Sequence, residues 1–498
     1  MSGAGPRTVF LDGVRQLVVE PEDQVRLAEQ ALRGLAESRP DLSAQRRLSR
    51  GQVVFLVVAT VLLVVAGVVF GAVLAGRVLC GLLVLGYGAA AVYRLRCLRH
   101  GLRAEGLEQV SDDEARAATD LPMYTVLVPA YREPTVIASL LRNVDQLEYP
   151  RDRLEVLILL EAGDDETLAA VREARPGLNV KVVIVPPADV TTKPRACNYG
   201  LQLARGELVT IYDAEDRPEP LQLRRAAVVM RRSPRDLAGL QARLAYFNQH
   251  RNIITKWFTA EYLTWFEHFL PGLVALKSPI PLGGTSNHLR TEVLREVGGW
   301  DPYNVTEDAD LGVRLARFGY SIGVLDSVTY EEANSDFINW VKQRSRWYKG
   351  YLQTWLVHLR HPVRLTREVG VRGFLGVNLF VGGTPVLALL NPVFWGMTLI
   401  WFVAKPHVIL ELFSGPVYYV AILCWLVGNF AMVYGGVLSV REARCPDLLW
   451  SALIVPAYWV MMALAAVKAA VQLVREPSYW EKTVHGLDME QGVQPLST

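Results

Sequence analysis

The stretch LVTIYDAED, residues 208–216, is a short β-rich run that ends in a cluster of carboxylates. Such a run is typical of a buried strand whose carboxyl end faces a ligand. Three upstream runs have the same character, at residues 124–129, 154–160 and 180–185, and helical patterns lie between them. This alternation predicts an α/β domain with a mostly parallel sheet, crossover helices and a ligand site at the carboxyl ends of the strands.

Residues of interest for ligand binding lie at or just after the ends of the first, second and fourth runs. They are Pro129, Tyr131, Glu133, Glu161, Asp164, Asp165, Asp213 and Glu215. Acidic pairs at strand ends can hold a divalent metal and a diphosphate, because hard cations take oxygen ligands. A turn or a helix cap is the structural alternative for an isolated acidic pair. The preceding strand and the motifs that follow favour the ligand site here.

Two further motifs lie downstream, TED at 306–308 and QRSRW at 343–347. Asp308 can serve as a base, and Arg346 beside Trp347 suits a diphosphate next to a sugar ring. A purely structural interpretation makes Thr306 the N-cap of an amphipathic helix with Asp308 in its first turn. Likewise, the aromatic residues around Trp347 would by themselves indicate bilayer anchoring.

The composition indicates a membrane protein with more than one domain. The chain has 498 residues, of which 51% are hydrophobic, and a net charge of only +2, so nothing indicates a nucleic-acid binder. Its five cysteines are scattered, without metal-ligand spacing or a disulfide framework. A reduced, cytoplasmic environment is the expectation for its soluble part.

Apolar runs at 53–75 and 78–93 predict a transmembrane hairpin. Basic residues flank both outer ends and place them in the cytoplasm; they are Arg46, Arg47, Arg50, Arg94, Arg96, Arg99 and Arg103. Residues 104–361 are therefore expected to be cytoplasmic. Later apolar runs at 373–404, 416–440 and 448–474 make three crossings, or four if the first breaks at Pro385 or Pro392. The side of the C-terminal tail stays open at this point.

Taken in order, these motifs resemble those of the membrane-embedded family-2 glycosyltransferases, which include bacterial cellulose and hyaluronan synthases. The nearest likeness is to the cellulose-synthase-like branch that contains adhesion-glycan synthases. The resemblance extends over about residues 121–347 by motif and over the flanking helices by layout. It implies a Rossmann-like nucleotide-sugar domain of GT-A type beside a helical transmembrane bundle, inverting transfer from a UDP-sugar, and Mg²⁺ or Mn²⁺ as cofactor.

The resemblance also implies roles for individual residues. It assigns the nucleotide to Pro129, Tyr131, Glu133, Lys193, Asn198 and Asp213, with one of Glu161, Asp164 and Asp165 as the uracil-side acid. It assigns the metal to Asp213 and Glu215, the place of the family's Asp-x-Asp, and makes Asp308 the general base beside Glu307. It assigns Gln343, Arg346 and Trp347 to the acceptor and the leaving diphosphate, and Trp480 and Thr483 to a segment that closes over the nucleotide.

The expected organisation follows from these assignments. It comprises an N-terminal helical cap (1–50), a transmembrane hairpin (51–96), the glycosyltransferase domain (104–335), an interfacial helix (336–365), transmembrane helices (373–474) and a cytoplasmic tail (475–498). The expected activity is processive elongation of a β-linked polysaccharide from UDP-glucose and its passage across the plasma membrane, with export proteins as partners. Transfer of one sugar to a lipid acceptor and a non-catalytic channel subunit are the alternatives.

Overall fold

A mixed β-sheet forms the core of the soluble domain in this computed structural model, which describes residues 6–177 and 179–482. Its strands run in the order β1-β2-β6-β5-β4-β7-β10-β9-β11-β3, and β8 pairs with β11. The strands are β1 (Arg7–Leu11), β2 (Val14–Val18), β3 (Leu107–Glu108), β4 (Tyr124–Ala130), β5 (Leu154–Glu161), β6 (Val180–Val185), β7 (Leu208–Ile211), β8 (Arg217–Pro218), β9 (Leu237–Tyr246), β10 (Asn287–Arg290) and β11 (Ser321–Glu331).

The central strands β6, β5, β4 and β7 are parallel, so their carboxyl ends meet at one edge. They are buried on both faces, which explains their continuous runs of Val, Leu and Ile. All four predicted strands are confirmed to within one residue at each end. Beyond β7 the sheet continues through β10, which is antiparallel to both of its neighbours.

Helices cover the sheet and continue into the apolar part of the chain. They are α1 (Pro21–Ser38), α2 (Arg50–Phe70), α3 (Ala72–Gly101), α4 (Asp112–Ala117), α5 (Pro134–Asp145), α6 (Asp165–Glu173), α7 (Lys193–Leu203), α8 (Gln222–Arg232), α9 (Ile253–Thr264), α10 (Leu270–Ala275), α11 (Thr291–Glu296), α12 (Glu307–Arg317), α13 (Phe337–His358), α14 (Pro362–Gly376), α15 (Gly383–Ala404), α16 (His407–Leu412), α17 (Pro416–Leu423), α18 (Asn429–Glu442), α19 (Leu449–Leu453) and α20 (Val455–Arg475).

The N-terminal region is not the purely helical cap that the sequence led us to expect. Strands β1 and β2 form an antiparallel hairpin, and β2 joins the central sheet through Gln16 opposite Val182 of β6. Helix α1 then packs on α7, and Asn198 of α7 donates to the carbonyl oxygen of Ala31 at 3.1 Å. Residues 7–38 are thus an integral part of the soluble domain.

Five helical segments in the described residues are long and apolar enough to cross a membrane: Arg50–Phe70, Ala72–Gly101, Pro362–Ala404, Pro416–Glu442 and Val455–Arg475. The segment that contains Pro385 and Pro392 is one bent helix, not two short pieces. It bends at Gly370, where φ is +69°, and continues through a π-helical turn at Val377–Gly382 into α15.

Helix α20 differs from the other four because it lies alongside α13 from end to end. Tyr458, near its start, accepts hydrogen bonds from Trp340 and Arg344 of α13. Just beyond its last residue, the carbonyl oxygens of Glu476 and Pro477 accept from Lys349 and Gln353 of the same helix. Both ends of α20 therefore stay beside the soluble domain.

Candidate active site

A cavity of about 420 Å³ opens at the carboxyl ends of the parallel strands, between the sheet, α13 and the chain that follows α20. Most of the residues expected from the sequence line it, although they come from elements far apart in the chain. They are Pro129, Tyr131, Glu133, Glu161, Lys193, Asp213, Glu215, Glu307, Asp308, Gln343, Arg346, Trp347 and Trp480.

The turn after β7 directs two carboxylates, Asp213 and Glu215, into this cavity. A third, Asp216, is fully buried and builds the turn: it accepts the backbone N–H of Asp213 at 2.7 Å and the hydroxyl of Thr285. Lys193 Nζ lies 2.5 Å from Asp213 Oδ1 and donates to the carbonyl oxygen of Gly284 at 2.7 Å. Burial opposes the charge on Lys193, but the negative charges of Asp213 and Glu307 together outweigh it and raise the pKa of the lysine.

The donor set at this turn fits a divalent cation held jointly with a diphosphate. Asp213 and Glu215 offer hard oxygen ligands in a partly exposed position. Among residues 6–177 and 179–482, no cluster of three or more His, Cys, Asp or Glu side chains is arranged to hold a metal. Two carboxylates would therefore share the ion with phosphate oxygens of a donor, the arrangement that Mg²⁺ favours.

The base candidate Asp308 stands in the first turn of α12, at the cavity wall. Its Oδ1 accepts the backbone N–H of Ala309 at 2.8 Å. Burial raises the pKa of Asp308 to about 6, and burial together with the neighbouring Asp308 charge raises the pKa of Glu307 to about 8. A carboxyl group with a pKa close to neutrality is suited to accept a proton from a hydroxyl group.

Helix α13 brings Gln343, Arg346 and Trp347 to the opposite wall. The ring of Trp347 stacks on Tyr262 at 6.3 Å, with an interplanar angle of 26°. Burial lowers the pKa of Arg346, whereas the negative charges of the nearby Glu307 and Asp308 raise it in part. Gln343 accepts a hydrogen bond from Asn334 at 2.8 Å, which fixes its amide at the cavity edge.

Helix α13 is also hydrogen-bonded to residues 304–305, which precede the base candidate Asp308. Asn304 donates to Thr354 at 3.0 Å, and the amide oxygen of Gln353 accepts the backbone N–H of Val305 at 3.2 Å. One turn along α12, Asp310 lies 3.1 Å from Nε2 of His358 and 3.1 Å from Arg314, and all three are fully buried. Buried hydrogen bonds therefore connect the segment that carries Asp308 to the helix that carries the Gln-x-x-Arg-Trp residues.

The three acidic candidates after β5 lie in different environments. Glu161 lines the cavity, where Nη1 of Arg195 donates to both of its oxygens at 3.0 and 3.2 Å. Asp164 is buried and instead accepts the N–H of Arg132 and the N–H of Thr167, which caps α6. Asp165 lies exposed in the first turn of that helix.

Asn198 was expected near the nucleotide, but it is outside the cavity lining. Its amide nitrogen donates to the carbonyl oxygen of Trp300 at 2.7 Å, and its oxygen accepts the N–H of the same residue at 2.9 Å. The side chain ties α7 to the loop before α12, and both of its polar atoms are used there.

The segment that follows α20 reaches back over the cavity. Trp480 lines it and lies under the guanidinium of Arg346, 4.5 Å from ring centroid to Cζ. Lys482 donates to the carbonyl oxygen of Tyr131 at 2.8 Å. Glu481 holds the segment to α20 through Lys468 at 2.8 Å. Thr483, the other residue expected here, lies outside the described residues.

One wall of the cavity was not anticipated from the sequence. Tyr262, Trp265 and Phe266 come from α9 and the π-helical turn after it, and Thr384 comes from α15 in the apolar bundle. The spacing of the three aromatic residues, at i, i+3 and i+4, is a readable sign of one helix face. Nothing in the sequence indicates that this face meets Trp347.

Part of the chain matches a known protein family. Residues 208–438 match glycosyl transferase family group 2. The matched segment contains the Asp213 turn, the TED motif, QRSRW and helices α14 to α17. Over these residues the chain is similar to that family.

Two relatives have informative names. A β-monoglucosyldiacylglycerol synthase of Synechocystis is 27% identical over 390 residues, which are 75% of this chain and 77% of that protein. Glucomannan 4-β-mannosyltransferase 2 of Arabidopsis thaliana is 28% identical over 255 residues, 49% of this chain and 47% of the relative. For several curated relatives the match spans only 52% to 60% of their length.

The fold has a counterpart among solved structures. Mannosyltransferase PcManGT from Pyrobaculum calidifontis, solved in complex with GDP-Man and Mn²⁺, aligns with a TM-score of 0.51 at 20% identity over 81% of this chain and 99% of that one. The soluble domain is thus a GT-A type α/β domain, as the sequence predicted.

Proposed function

We propose that this protein is a membrane glycosyltransferase that transfers a hexose, with inversion, from a UDP-sugar to a growing β-linked polysaccharide. One observation carries the proposal: a single cavity joins the Asp213 turn, the Asp308 base and the Arg346–Trp347 pair. UDP-glucose is the donor that we expect. Both relatives named above transfer hexoses, and their names specify β linkages.

The proposed reaction is one displacement at the anomeric carbon. The acceptor hydroxyl oxygen attacks that carbon, Asp308 takes the proton, and the bond to the diphosphate breaks. Arg346 lies across the cavity, where its charge offsets the charge that grows on the leaving group. Trp347 presents a flat ring for the acceptor sugar, and no covalent sugar–enzyme intermediate is needed.

Asp213 and Glu215 would hold Mg²⁺ or Mn²⁺ together with the donor diphosphate. When bound, the ion supplies positive charge beside the departing phosphates. The mannosyltransferase of similar fold was solved with Mn²⁺, which agrees with this donor set but does not favour either metal for this chain. Lys193, which lies 2.5 Å from Asp213, would place a positive charge beside the same diphosphate.

The shape of the acceptor side supports a polymer as product. Tyr262, Trp265 and Trp347 form an aromatic lining on which sugar rings can stack. The cavity then reaches Thr384 of α15, so a lengthening chain would enter the helix bundle directly. This geometry supports processive elongation and passage across the membrane, and export proteins would receive the product.

The membrane arrangement that we propose has four crossings, by α2, α3, the segment from α14 to α15, and the segment from α17 to α18. Arg47, before α2, donates to the carbonyl oxygen of Val474 near the end of α20. Arg77, between the two apolar runs of the hairpin, donates to the carbonyl oxygen of Glu411. With α20 beside α13, an even number of crossings returns the tail to the side of the catalytic domain. The basic flanks make that side cytoplasmic, in the plasma membrane.

A second function has specific support. The relative that covers 75% of this chain is named as a β-monoglucosyldiacylglycerol synthase, so transfer of one sugar to a lipid acceptor is the competing proposal. The same catalytic residues would serve that reaction. The two proposals differ in the product, which is either a chain of sugars or a single glycolipid.

The deciding experiment measures UDP release by the purified protein in nanodiscs, with a panel of UDP-sugars and Mg²⁺ or Mn²⁺. We expect release with one donor, its loss in Asp308→Asn, and a glycosidase-sensitive product of high mass. A product that extracts only into chloroform would establish the lipid transferase instead. No release with any donor would refute both proposals and leave the non-catalytic channel subunit.

A further inference from the structure

Arg344 of α13 precedes Trp347 by three residues, and its guanidinium contacts the ring of that tryptophan. Cζ of Arg344 lies 4.7 Å from the centroid of the Trp347 ring. Two further rings lie against the same cation, Phe258 at 5.0 Å and Trp340 at 5.4 Å. Arg344 is buried and Trp347 is half-buried, and both line the active-site cavity. The cation therefore packs against the ring that we propose for the acceptor sugar.

A carboxylate of α9 holds this guanidinium in place. Nη1 and Nη2 of Arg344 donate to Oε1 and Oε2 of Glu261, at 2.8 and 2.5 Å. The hydroxyl of Tyr458 in α20 donates to Oε2 of Glu261 at 2.9 Å and accepts from Nη2 of Arg344 at 3.1 Å. A bidentate pair of this kind fixes the plane of the guanidinium as well as its position. Three helices thus hold one cation against the ring of Trp347.

The stability of the fold does not by itself explain this ion pair. A buried pair of charges is often no more stabilising than apolar side chains of the same volume. The pair does suit the task of holding a ring, because a planar guanidinium lies well on an aromatic face and Glu261 fixes its orientation. A side chain that is immobilised only when a ligand binds costs binding free energy. A Trp347 ring that is held beforehand avoids this cost.

We infer that Arg344 is a positioning residue for the acceptor: held by Glu261, it fixes the ring of Trp347 in the orientation that stacks on a sugar. This inference rests on the proposed transfer to a sugar acceptor, and it adds a residue that acts through Trp347. The donor diphosphate is expected at the Asp213 turn, on another part of the cavity wall. Loss of the ion pair should therefore weaken the binding of the acceptor and leave the binding of UDP unchanged.

The test measures the binding of cellotetraose and mannotetraose, β-linked tetramers of glucose and of mannose. Isothermal titration calorimetry is carried out on the full-length protein in nanodiscs, with UDP and Mg²⁺ present; UDP affinity and UDP release are measured in parallel. Arg344→Met is combined with Glu261→Met, because removal of one partner alone would leave an unpaired buried charge. The matched control is Arg317→Met with Glu368→Met, an ion pair of 2.6 Å between α12 and α14 that is outside the lining of the active-site cavity.

We expect the double variant at Arg344 and Glu261 to bind the tetramer about three- to tenfold more weakly, the range for immobilising one side chain. Its affinity for UDP should not change. In a Trp347→Leu background, which has no ring to hold, the same double replacement should change the affinity for the tetramer less than about twofold. Arg344→Lys should lose only part of the affinity, because it keeps the charge beside the ring but not the bidentate pair. The control should bind the tetramer like the wild type.

The positioning role is overturned if the double variant binds the tetramer like the wild type, or if the loss is as large in the Trp347→Leu background. An equal loss of UDP affinity, or a wild type that binds neither tetramer, overturns it as well. If the double variant does not fold, Arg344→Lys in both backgrounds decides the question. Failure of the proposed function looks different: a tetramer binds in a manner that depends on Arg344, but no donor releases UDP. UDP release without any effect of Arg344 on the tetramer is the reverse result.

Discussion

Replacing Asp308 by Asn should stop the reaction and at the same time stabilise the fold. In the structure, burial raises the pKa of Asp308 from 3.8 to about 6, so the folded protein opposes its ionisation. At the roughly 1.4 kcal/mol that each pKa unit represents, the ionised carboxylate costs the folded state about 3 kcal/mol above pH 6. Asn has the same shape and carries no charge, so the variant avoids this cost.

The activity should fall by a factor of about 10²–10⁴, the usual contribution of a general base. The assay combines UDP release with thermal melting in detergent at pH 7.5 and at pH 4.5. We expect a higher melting temperature for Asp308→Asn at pH 7.5 and a smaller difference at pH 4.5, because the wild-type carboxyl group is then largely protonated. Asp120→Asn, at an exposed position, is the control and should change neither property. Retained activity, or a melting temperature below that of the wild type at pH 7.5, would refute the assignment.

Four further outcomes follow from the site. The initial rate should rise with pH and reach half of its maximum near pH 6, as Asp308 ionises; a rate already flat from pH 4.5 would contradict this. Gly350→Ala should lower activity at least about tenfold, because a Cβ there would overlap Thr306 beside the base, whereas Gly436→Ala has open space and should be neutral in the same assay. Trp480→Ala should raise the KM for the donor about three- to thirtyfold through the lost contact with Arg346, and Trp450→Ala, at an exposed position, should not. EDTA should abolish UDP release, and Asp213→Asn should need about tenfold more metal for its restoration; full activity in EDTA would exclude a required ion.

The parallel core was predictable because a buried strand leaves a local signal, a continuous apolar run with a polar end. The N-terminal hairpin also has a local signal in the sequence. Asp12 and Gly13, with φ of +46° and +87°, form a two-residue turn of the kind that joins adjacent strands. The helical pattern after Pro21 is longer than this turn, and it led to the prediction of a helical cap for the whole region. By contrast, the extension of the sheet through β10, β9 and β11 depends on pairing between distant segments, which no short run reveals.

The candidate site also contains both residues whose positions the sequence predicts and residues whose positions depend on packing. Asp213, Asp308 and Arg346 were predicted from motifs in the sequence, and the structure places all three at one cavity. Asn198 lies in a motif as well, yet its amide binds the backbone of Trp300, and only the packing of α7 decides that. Helix α20 is hard to interpret from sequence for a physical reason: its exposed stripe is apolar like those of the other candidate spans, whereas its other face packs on α13. The stripe includes Val460, Leu464, Val467 and Val471.

The hydrogen bonds that join α13 to the segment before α12 differ in kind from those that join it to the chain after α20. Asp308 and the residues opposite it cannot separate without breaking buried bonds such as that between Asn304 and Thr354. The chain after α20 is joined to α13 in another way, because Lys349 and Gln353 donate to its backbone carbonyl oxygens. A carbonyl oxygen is the same whatever side chain its residue carries. The hydrogen bonds to Pro477 and Tyr479 therefore constrain the sequence less during evolution than the bond between Asn304 and Thr354, which needs both side chains.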